Sequence, residues 1–333
     1  TGALAGTPTN AEVGSHTVVI TATDTNSAST AQTFTVVVTN TNDAPVVTST
    51  AVTAVDEDAA YSYTVTATDV DVGDTLTMTG TTVPSWLTFD ATTGILAGTP
   101  LNANVGANSV VITINDGTVD VTDTFTITVA NTNDAPTFTS TAVTAVDEDA
   151  AYSYTAAASD DDGDTVTLAG TTIPAWMTFD ATTGALTGTP TNAEVGSHAV
   201  VITATDTNSA STTDSFTVVV ANTNDAPTVA SALSDATIAE DSAYSLDVSG
   251  MCTDVDVGDT MTYTMSGNPS TLSIASGIIS GTPLQADIGS HAITVDCTDS
   301  GSASASDSFT LFVTNVNDAP DFTSTAVTAV DED

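Results

Sequence analysis

The sequence predicts an all-β chain of tandem β-sandwiches, each of about 91 residues, joined end to end. Three observations carry this. The block NTNDAP stands at 40–45, 131–136 and 222–227 and returns as NVNDAP at 315–320, so a turn-forming cluster recurs every 91 to 93 residues. The segments between the clusters repeat one another: residues 1–45 and 183–227 differ at six positions. Within each segment, apolar residues alternate with Thr and Ser at period two, the pattern of strands with one buried face.

The repeats divide the chain into the second half of one unit (1–43), three whole units (44–134, 135–225 and 226–318) and the first strand of another (319–333). The first strand is marked by FTSTAVTAVDED, which occupies 138–149 and again 322–333. Next, AYSYTVTATD (60–69) sets Tyr61, Tyr63, Val65 and Ala67 against Ser62, Thr64, Thr66 and Thr68, which reads as one strand. WLTFDATTG (86–94) is answered by WMTFDATTG (176–184), and GTP follows at 98–100. Late in the unit, HTVVITATD (16–24) places Val18, Ile20 and Ala22 on one face, and TFTVVV (33–38) does the same with Phe34, Val36 and Val38. Thr is β-branched and suits a pleated surface. No stretch sustains a helical period. About seven short strands in ~90 residues is the size of an immunoglobulin-like sandwich.

Composition narrows function. The chain has no Lys and no Arg against 42 Asp plus Glu, a formal charge of −42. Nothing can neutralise phosphates, which excludes a nucleic-acid partner, and no basic patch can hold an anionic membrane. Schiff-base chemistry, a P-loop lysine and Lys–Asn cross-links are excluded with the lysines. Like charges this dense oppose a compact state, so divalent cations or high salt are expected as the counterweight. At 41% apolar residues in a periodic pattern, the chain is read as folded. No apolar run approaches the ~20 residues of a membrane span. No signal peptide is visible at Thr1, which itself falls inside a repeat.

The acids recur in four clusters per repeat, and recurrence in step is what points to a hard cation such as Ca²⁺, which takes oxygens from several loops. The first is the early DED: Asp56, Glu57, Asp58, then Asp147, Glu148, Asp149, reduced to Glu240 and Asp241 in the third whole repeat. The second is DVDVGD or DDDGD: Asp69, Asp71, Asp74; Asp160, Asp162, Asp164; Asp254, Asp256, Asp259. The third is one Asp ending a later strand: Asp24, Asp116, Asp206, Asp299. The fourth is the linker NxND: Asn40, Asn42, Asp43; Asn131, Asn133, Asp134; Asn222, Asn224, Asp225; Asn315, Asn317, Asp318.

Other chemistry is weaker. His16, His198 and His291 share one repeat position, where the first whole repeat has Asn108. They lie in separate units and cannot share a zinc ion, so they are read as local hydrogen-bonding residues at a strand start. Trp86 and Trp176 are expected to pack, with sugar stacking as the alternative. Cys252 continues the face of Tyr244, Leu246 and Val248, and Cys297 that of Ile293 and Val295, in strands that face each other across such a sandwich. A Cys252–Cys297 disulfide is expected, and with it an oxidising compartment.

In combination the motifs ATDVDVGD, FDATTG with GTP, VITATD and NTNDAP resemble cadherin-like repeats along the whole chain, most nearly the dystroglycan-type bacterial and archaeal branch. The resemblance implies Ig-like sandwiches with calcium at their joints, in a large cell-surface or secreted protein. It implies that the early Glu and linker of one repeat meet the Asp-x-Asp and strand-end Asp of the next. One joint would then combine Glu57, Asn131, Asn133 and Asp134 with Asp160, Asp162 and Asp206. The next would combine Glu148, Asn222, Asn224 and Asp225 with Asp254, Asp256 and Asp299, and the first Asn40, Asn42 and Asp43 with Asp69, Asp71 and Asp116. The family's mid-repeat Asp-Arg-Glu is missing near GTPLNANVG, so fewer ions per joint are expected than in vertebrate cadherins. The expected function is structural: an extracellular, calcium-stiffened stalk or fibre, partnered by neighbouring repeats or identical subunits and by a cell-surface or glycan target. It is not read as an enzyme. The alternatives are a calcium-assisted glycan-binding array and the non-catalytic arm of a secreted hydrolase.

Overall fold

The computed structural model describes residues 2–326, 328 and 329. Among them regular structure is strand, apart from three-residue 3-10 turns at Asn10–Glu12, Asn102–Asn104, Asn192–Glu194 and Gln285–Asp287. Among the described residues no helix is long and apolar enough to cross a membrane. The chain separates into two compact units. One is Thr1–Thr137 with Ala158–Thr167 and Ala204–Thr212; the other is Phe138–Ala157 with Leu168–Thr203 and Thr213–Asp333.

In the first unit, residues 1–43 supply two antiparallel strands, β1 (Gly14–Thr23) and β2 (Ser29–Val38). The first whole repeat supplies β3 (Val46–Val47), β4 (Ala54–Asp56), β5 (Tyr61–Thr64), β6 (Ala67–Thr68), β7 (Thr77–Thr82), β8 (Leu87–Asp90), β9 (Ile95–Gly98), β10 (Gly106–Asn115) and β11 (Asp120–Ala130). They form sheets in the orders β4-β11-β10-β7 and β5-β9-β8, with the short pair β3-β6. The core holds Tyr61, Tyr63, Leu96, Val110, Ile112 and Ile127. Every one occupies the apolar phase of an alternating strand, so the period-two pattern sets which face is buried.

The expectation of a single strand over 60–69 is corrected. β5 pairs with β9, whereas β6 pairs with β3. Between them, Val65 N–H donates to the Gly94 carbonyl at 2.8 Å and Thr66 N–H to Ser49 Oγ at 2.9 Å. The strand therefore changes sheets while its buried alternation continues through Tyr61, Tyr63 and Val65. The pattern records burial, and burial does not report which ladder satisfies the backbone.

The first and last sheet strands pair in parallel: Ala54 opposes Thr128, Val55 Val129 and Asp56 Ala130. That register brings the early DED beside the linker. Asp58 turns into the left-handed region (φ 59°), and its N–H donates to the Pro100 carbonyl at 2.8 Å. The recurring glycine of GTP also has a physical cause. A Cβ at Gly98 would overlap the Trp86 backbone carbonyl, and one at Gly188 the Trp176 carbonyl.

The second unit repeats the scheme. Strand Ala145–Asp147 lies parallel to Ser211–Ala221, and Tyr152–Thr155 pairs with Ala185–Gly188, which also pairs with Met177–Asp180. Further on, Ala236–Ala239, Ser304–Thr314, Gly289–Thr298 and Thr262–Ser266 form a sheet in that order, facing Tyr244–Asp247, Ile278–Gly281 and Leu272–Ala275. Cys252 and Cys297 are disulfide-bonded across this core, 45 residues apart in sequence. The histidines behave as local partners: the Nε2 atoms of His198 and His291 lie 2.6 and 2.7 Å from the carbonyls of Glu194 and Asp287. Asn108 fills the same role by donating to the Asn104 carbonyl at 2.8 Å.

Candidate metal centres

The joint following the first whole repeat lies wholly within the first unit, because that unit takes in the loops carrying Asp160, Asp162 and Asp206. Parallel pairing of β4 with β11 sets Glu57 against the linker, and Glu57 Oε1 accepts the Thr132 N–H at 2.6 Å. The linker then runs onto the next repeat's loops. Asp134 N–H donates to Asp162 Oδ2 at 2.7 Å, and Asn133 Nδ2 donates to Asp206 Oδ2 at 2.7 Å. Carboxylate oxygens of Glu57, Asp134 and Asp162 lie within 4.8 Å of one another. Glu57 is 3% exposed, yet its Oε2 has no hydrogen-bond partner, and neither has the buried Oδ2 of Asp160.

The same arrangement recurs in the second unit. Glu148 Oε1 accepts the Thr223 N–H at 2.6 Å, Asp225 N–H donates to Asp256 Oδ2 at 2.8 Å, and Asn224 Nδ2 donates to Asp299 Oδ2 at 3.0 Å. Glu148, Asp225 and Asp256 converge within 4.8 Å. Glu148 is 3% exposed and its Oε2 is unpartnered. At the first joint, Asp43 N–H donates to Asp71 Oδ2 at 2.7 Å and Asn42 Nδ2 to Asp116 Oδ2 at 2.9 Å. Asp69, Asp71 and Asp74 converge there.

Electrostatics agree with the geometry. Burial first, then the charges of Asp162, Asp58, Glu57 and Asp161, push the Asp134 carboxyl above the usual carboxylate range. Burial, then Asp256, Asp149 and Asp254, does the same to Asp225. The strand-end acids go the other way. The Asn42 amide, followed by the Val119 N–H, holds Asp116 low, and the Asn133 amide is the largest influence holding Asp206 low. Buried carboxylates require a compensating charge or donors, and the chain contains no Lys or Arg. A set of unpartnered, converging carboxylate oxygens is a fit for a hard cation and its all-oxygen ligand preference.

Within each DED only the glutamate is buried; Asp56 and Asp58 are exposed. The first linker residues Asn40, Asn131 and Asn222 are also exposed, and the one that follows, Asn42, Asn133 or Asn224, makes the reach to the strand-end Asp. The structure adds residues that the sequence reading did not select. Asn102 Nδ2 donates to Asp162 Oδ1 at 2.9 Å, and Asn192 Nδ2 to Asp256 Oδ1 at 2.8 Å. Both come from the stretch after GTP where the Asp-Arg-Glu was missed. The available signal was the recurrence of Asn at 10, 102 and 192. Trp86 stands edge-on to Tyr61 at 5.8 Å and donates Nε1–H to Asn108 Oδ1 at 3.1 Å, so its ring is engaged in packing.

A family model described as a putative Ig domain matches the chain four times, over residues 1–39, 44–130, 135–221 and 226–314. A serine-rich adhesin for platelets from Staphylococcus aureus is 33% identical over 131 residues, 37% of this chain and 5% of that protein. The chain thus spans between 5% and 9% of the length of the first curated relatives it matches. Among solved structures, extracellular cadherin domains 1–5 of protocadherin gamma B2 align at 21% identity over 93% of this chain and 68% of theirs, with a TM-score of 0.49. An endo-fucoidan hydrolase of glycoside hydrolase family 107 aligns at 23% identity over 78% of this chain and 42% of its own, with a TM-score of 0.27.

Proposed function

The chain belongs to the putative Ig domain family, and from there we propose that it is a non-catalytic segment of an extracellular adhesive stalk whose joints are stiffened by calcium. The units proposed are 44–134, 135–225 and 226–318, flanked by 1–43 and 319–333. One observation carries the reading: at successive joints, buried carboxylates with unpartnered oxygens converge in a protein that has no basic side chain except three histidines. Glu57, Asp134, Asp160 and Asp162 would hold a cation at one joint, and Glu148, Asp225, Asp254 and Asp256 at the next. Bound Ca²⁺ neutralises facing acids and immobilises linkers whose backbone is otherwise held by a few hydrogen bonds. Asn133, Asn224 and Asn42 fix the strand-end acids before any ion arrives.

The stretch resembling a named adhesin supports adhesion at a cell surface. The disulfide supports an oxidising, extracellular compartment. The edge-on packing of Trp86 and Trp176 against Tyr61 and Tyr152 favours a structural role for the indoles over sugar stacking.

The test is thermal unfolding of the full chain in calcium and in chelator. Calcium at a hundredfold excess over its Kd adds about 2.7 kcal/mol per site, so Tm rises with calcium. Glu57→Gln and Glu148→Gln should each remove part of that rise. A melting curve and a solution-scattering profile that both ignore chelation would overturn the proposal.

A further inference from the structure

Resting on the cation reading above, we propose that the Cys252–Cys297 disulfide is a positioning element for the cation at the joint before the third whole repeat. It ties the loop bearing Asp254 and Asp256 to the strand leading to Asp299, so this joint binds calcium more tightly than the joint before the middle repeat. Bound calcium in turn protects the disulfide from reduction. Each cysteine stands two residues before an acid of the joint, Cys252 before Asp254 and Cys297 before Asp299. All four lie in the second unit, together with Glu148 and Asp225.

Hydrogen bonds hold the two cysteines very differently. Cys297 lies in Gly289–Thr298, which is paired on both sides: Tyr263 opposes it from one neighbouring strand and Ala305 from the other. The hairpin continues past it, where Asp299 N–H donates to the Ala303 carbonyl at 3.0 Å and Asp299 Oδ1 accepts the Ala303 N–H at 2.8 Å. Cys252 lies in the two-residue strand Cys252–Thr253, which among the described residues pairs with Thr228–Val229 in a sheet of two strands. Asp254 follows at once. Its Oδ1 accepts the Asp256 N–H at 2.8 Å, and Asp256 Oδ2 accepts the N–H of the linker's Asp225 at 2.8 Å. The loop acids therefore hang from a weakly paired strand, and the disulfide fastens that strand to a firmly paired one. Glu148 Oε2 and Asp254 Oδ2 are buried without partners, so these acids repel one another. A loop free to move would relieve the repulsion by swinging outward. The cross-link denies it that relief, and the cation meets a site already assembled.

The other whole repeats fill this pair of positions without a bond. The first has Ala67 and Ile114, with Ile114 in the core and Ala67 packed against it. The middle repeat has Ala158 and Ala204, two methyl groups. Its joint acids Glu57, Asp134, Asp160 and Asp162 answer Glu148, Asp225, Asp254 and Asp256 one for one. The middle repeat is thus the natural comparison: equivalent acids, no covalent tie behind them.

The experiment measures Ca²⁺ affinity of the full chain by isothermal titration, with far-UV circular dichroism in saturating calcium confirming that each variant is folded. Cys252→Ala with Cys297→Ala should weaken one class of sites about tenfold, within the usual range for coupled events, and leave the others as in the parent. Ala158→Cys with Ala204→Cys, its new bridge confirmed by non-reducing peptide mass mapping, should tighten a different site by a similar factor, and adding Glu57→Gln should abolish that gain. Reduction of the parent is the reciprocal measurement. Dithiothreitol passes two electrons and two protons to the cystine and closes to its own cyclic disulfide. The ratio of reduced to oxidised dithiothreitol that opens half the chains should rise about tenfold in calcium. A disulfide that only stabilises the fold would lower the melting temperature in chelator when removed, yet leave the calcium affinity of the folded chain unchanged; that result refutes the proposal while the cation reading stands. Should the alanine pair not fold in calcium, the middle repeat decides. Parental affinity with the new bridge in place refutes the proposal, and so do new thiols that stay unpaired in air, because the strands of the two repeats would then not be equivalent. A parent chain that binds no calcium refutes the cation reading itself, so the two failures are distinguishable.

Discussion

Replacing both Cys252 and Cys297 with alanine should destabilise the third whole repeat and leave the other two as they are. The bond spans 45 residues of sequence. In the chain-entropy model, closing a loop of that length restricts the unfolded state by about 4 kcal/mol. Alanine is a fair replacement sterically, since the middle repeat carries Ala158 and Ala204 at the same positions. A domain this size has roughly 5–15 kcal/mol in total, so the third repeat would be left marginal. Urea unfolding in chelator, which removes any contribution from ions, measures it. With about 1–2 kcal/mol per molar urea for a small domain, the midpoint for that repeat should fall by roughly 2–4 M. The two tryptophans, Trp86 and Trp176, lie in the first and second whole repeats. Tryptophan fluorescence should therefore keep its midpoint while the circular dichroism curve acquires an early step. Identical dichroism curves for parent and variant would refute the reasoning, and so would a fluorescence midpoint that moves as far as the dichroism does.

Gly98→Ala should unfold the first whole repeat or cost it several-fold more than a surface change, because the new methyl meets the backbone carbonyl of Trp86 and a backbone atom cannot rotate away; selective loss of Trp86 packing in near-UV dichroism reports it, and a parent-like melt would contradict it. Alkaline pH gives a second check. Burial, then neighbouring charge from Tyr63 and Asp123, raises the Tyr61 hydroxyl to about 12, and burial, then Tyr154, raises Tyr152 equally. Because folding favours the protonated phenols, their contribution is complete below pH 10 and is lost as pH climbs from 10 towards 12. Burial also raises Tyr63, Tyr154, Tyr244 and Tyr263, so ultraviolet titration should show all six phenols ionising above the usual range with Tyr61 and Tyr152 last, and simple titration of all six near 10 would refute the shift.

Much of this protein was legible in the residues alone. Alternation at Tyr61-Tyr63-Val65 and at Val200-Ile202, the GTP and NTNDAP punctuation, and the inward phase of Cys252 and Cys297 are local properties, and period two leaves a residue only two faces to choose between. The recurrence of acids in step located the candidate sites for the same reason: a repeat copies its loops along with its strands. Three matters needed the folded chain. The transfer of residues 60–69 from β9 to β3 depends on which backbone groups are unpaired elsewhere, at Gly94 and Ser49. The burial of Glu57 rather than Asp56 or Asp58 depends on a parallel register with β11, more than seventy residues away. The amide donors on Asp162, Asp256 and Asp164 come from Asn102, Asn192 and Asn208, which reach them from other loops. Whether a carboxylate loses its water, and what replaces that water, is set by distant partners, and only the packed structure brings those partners together.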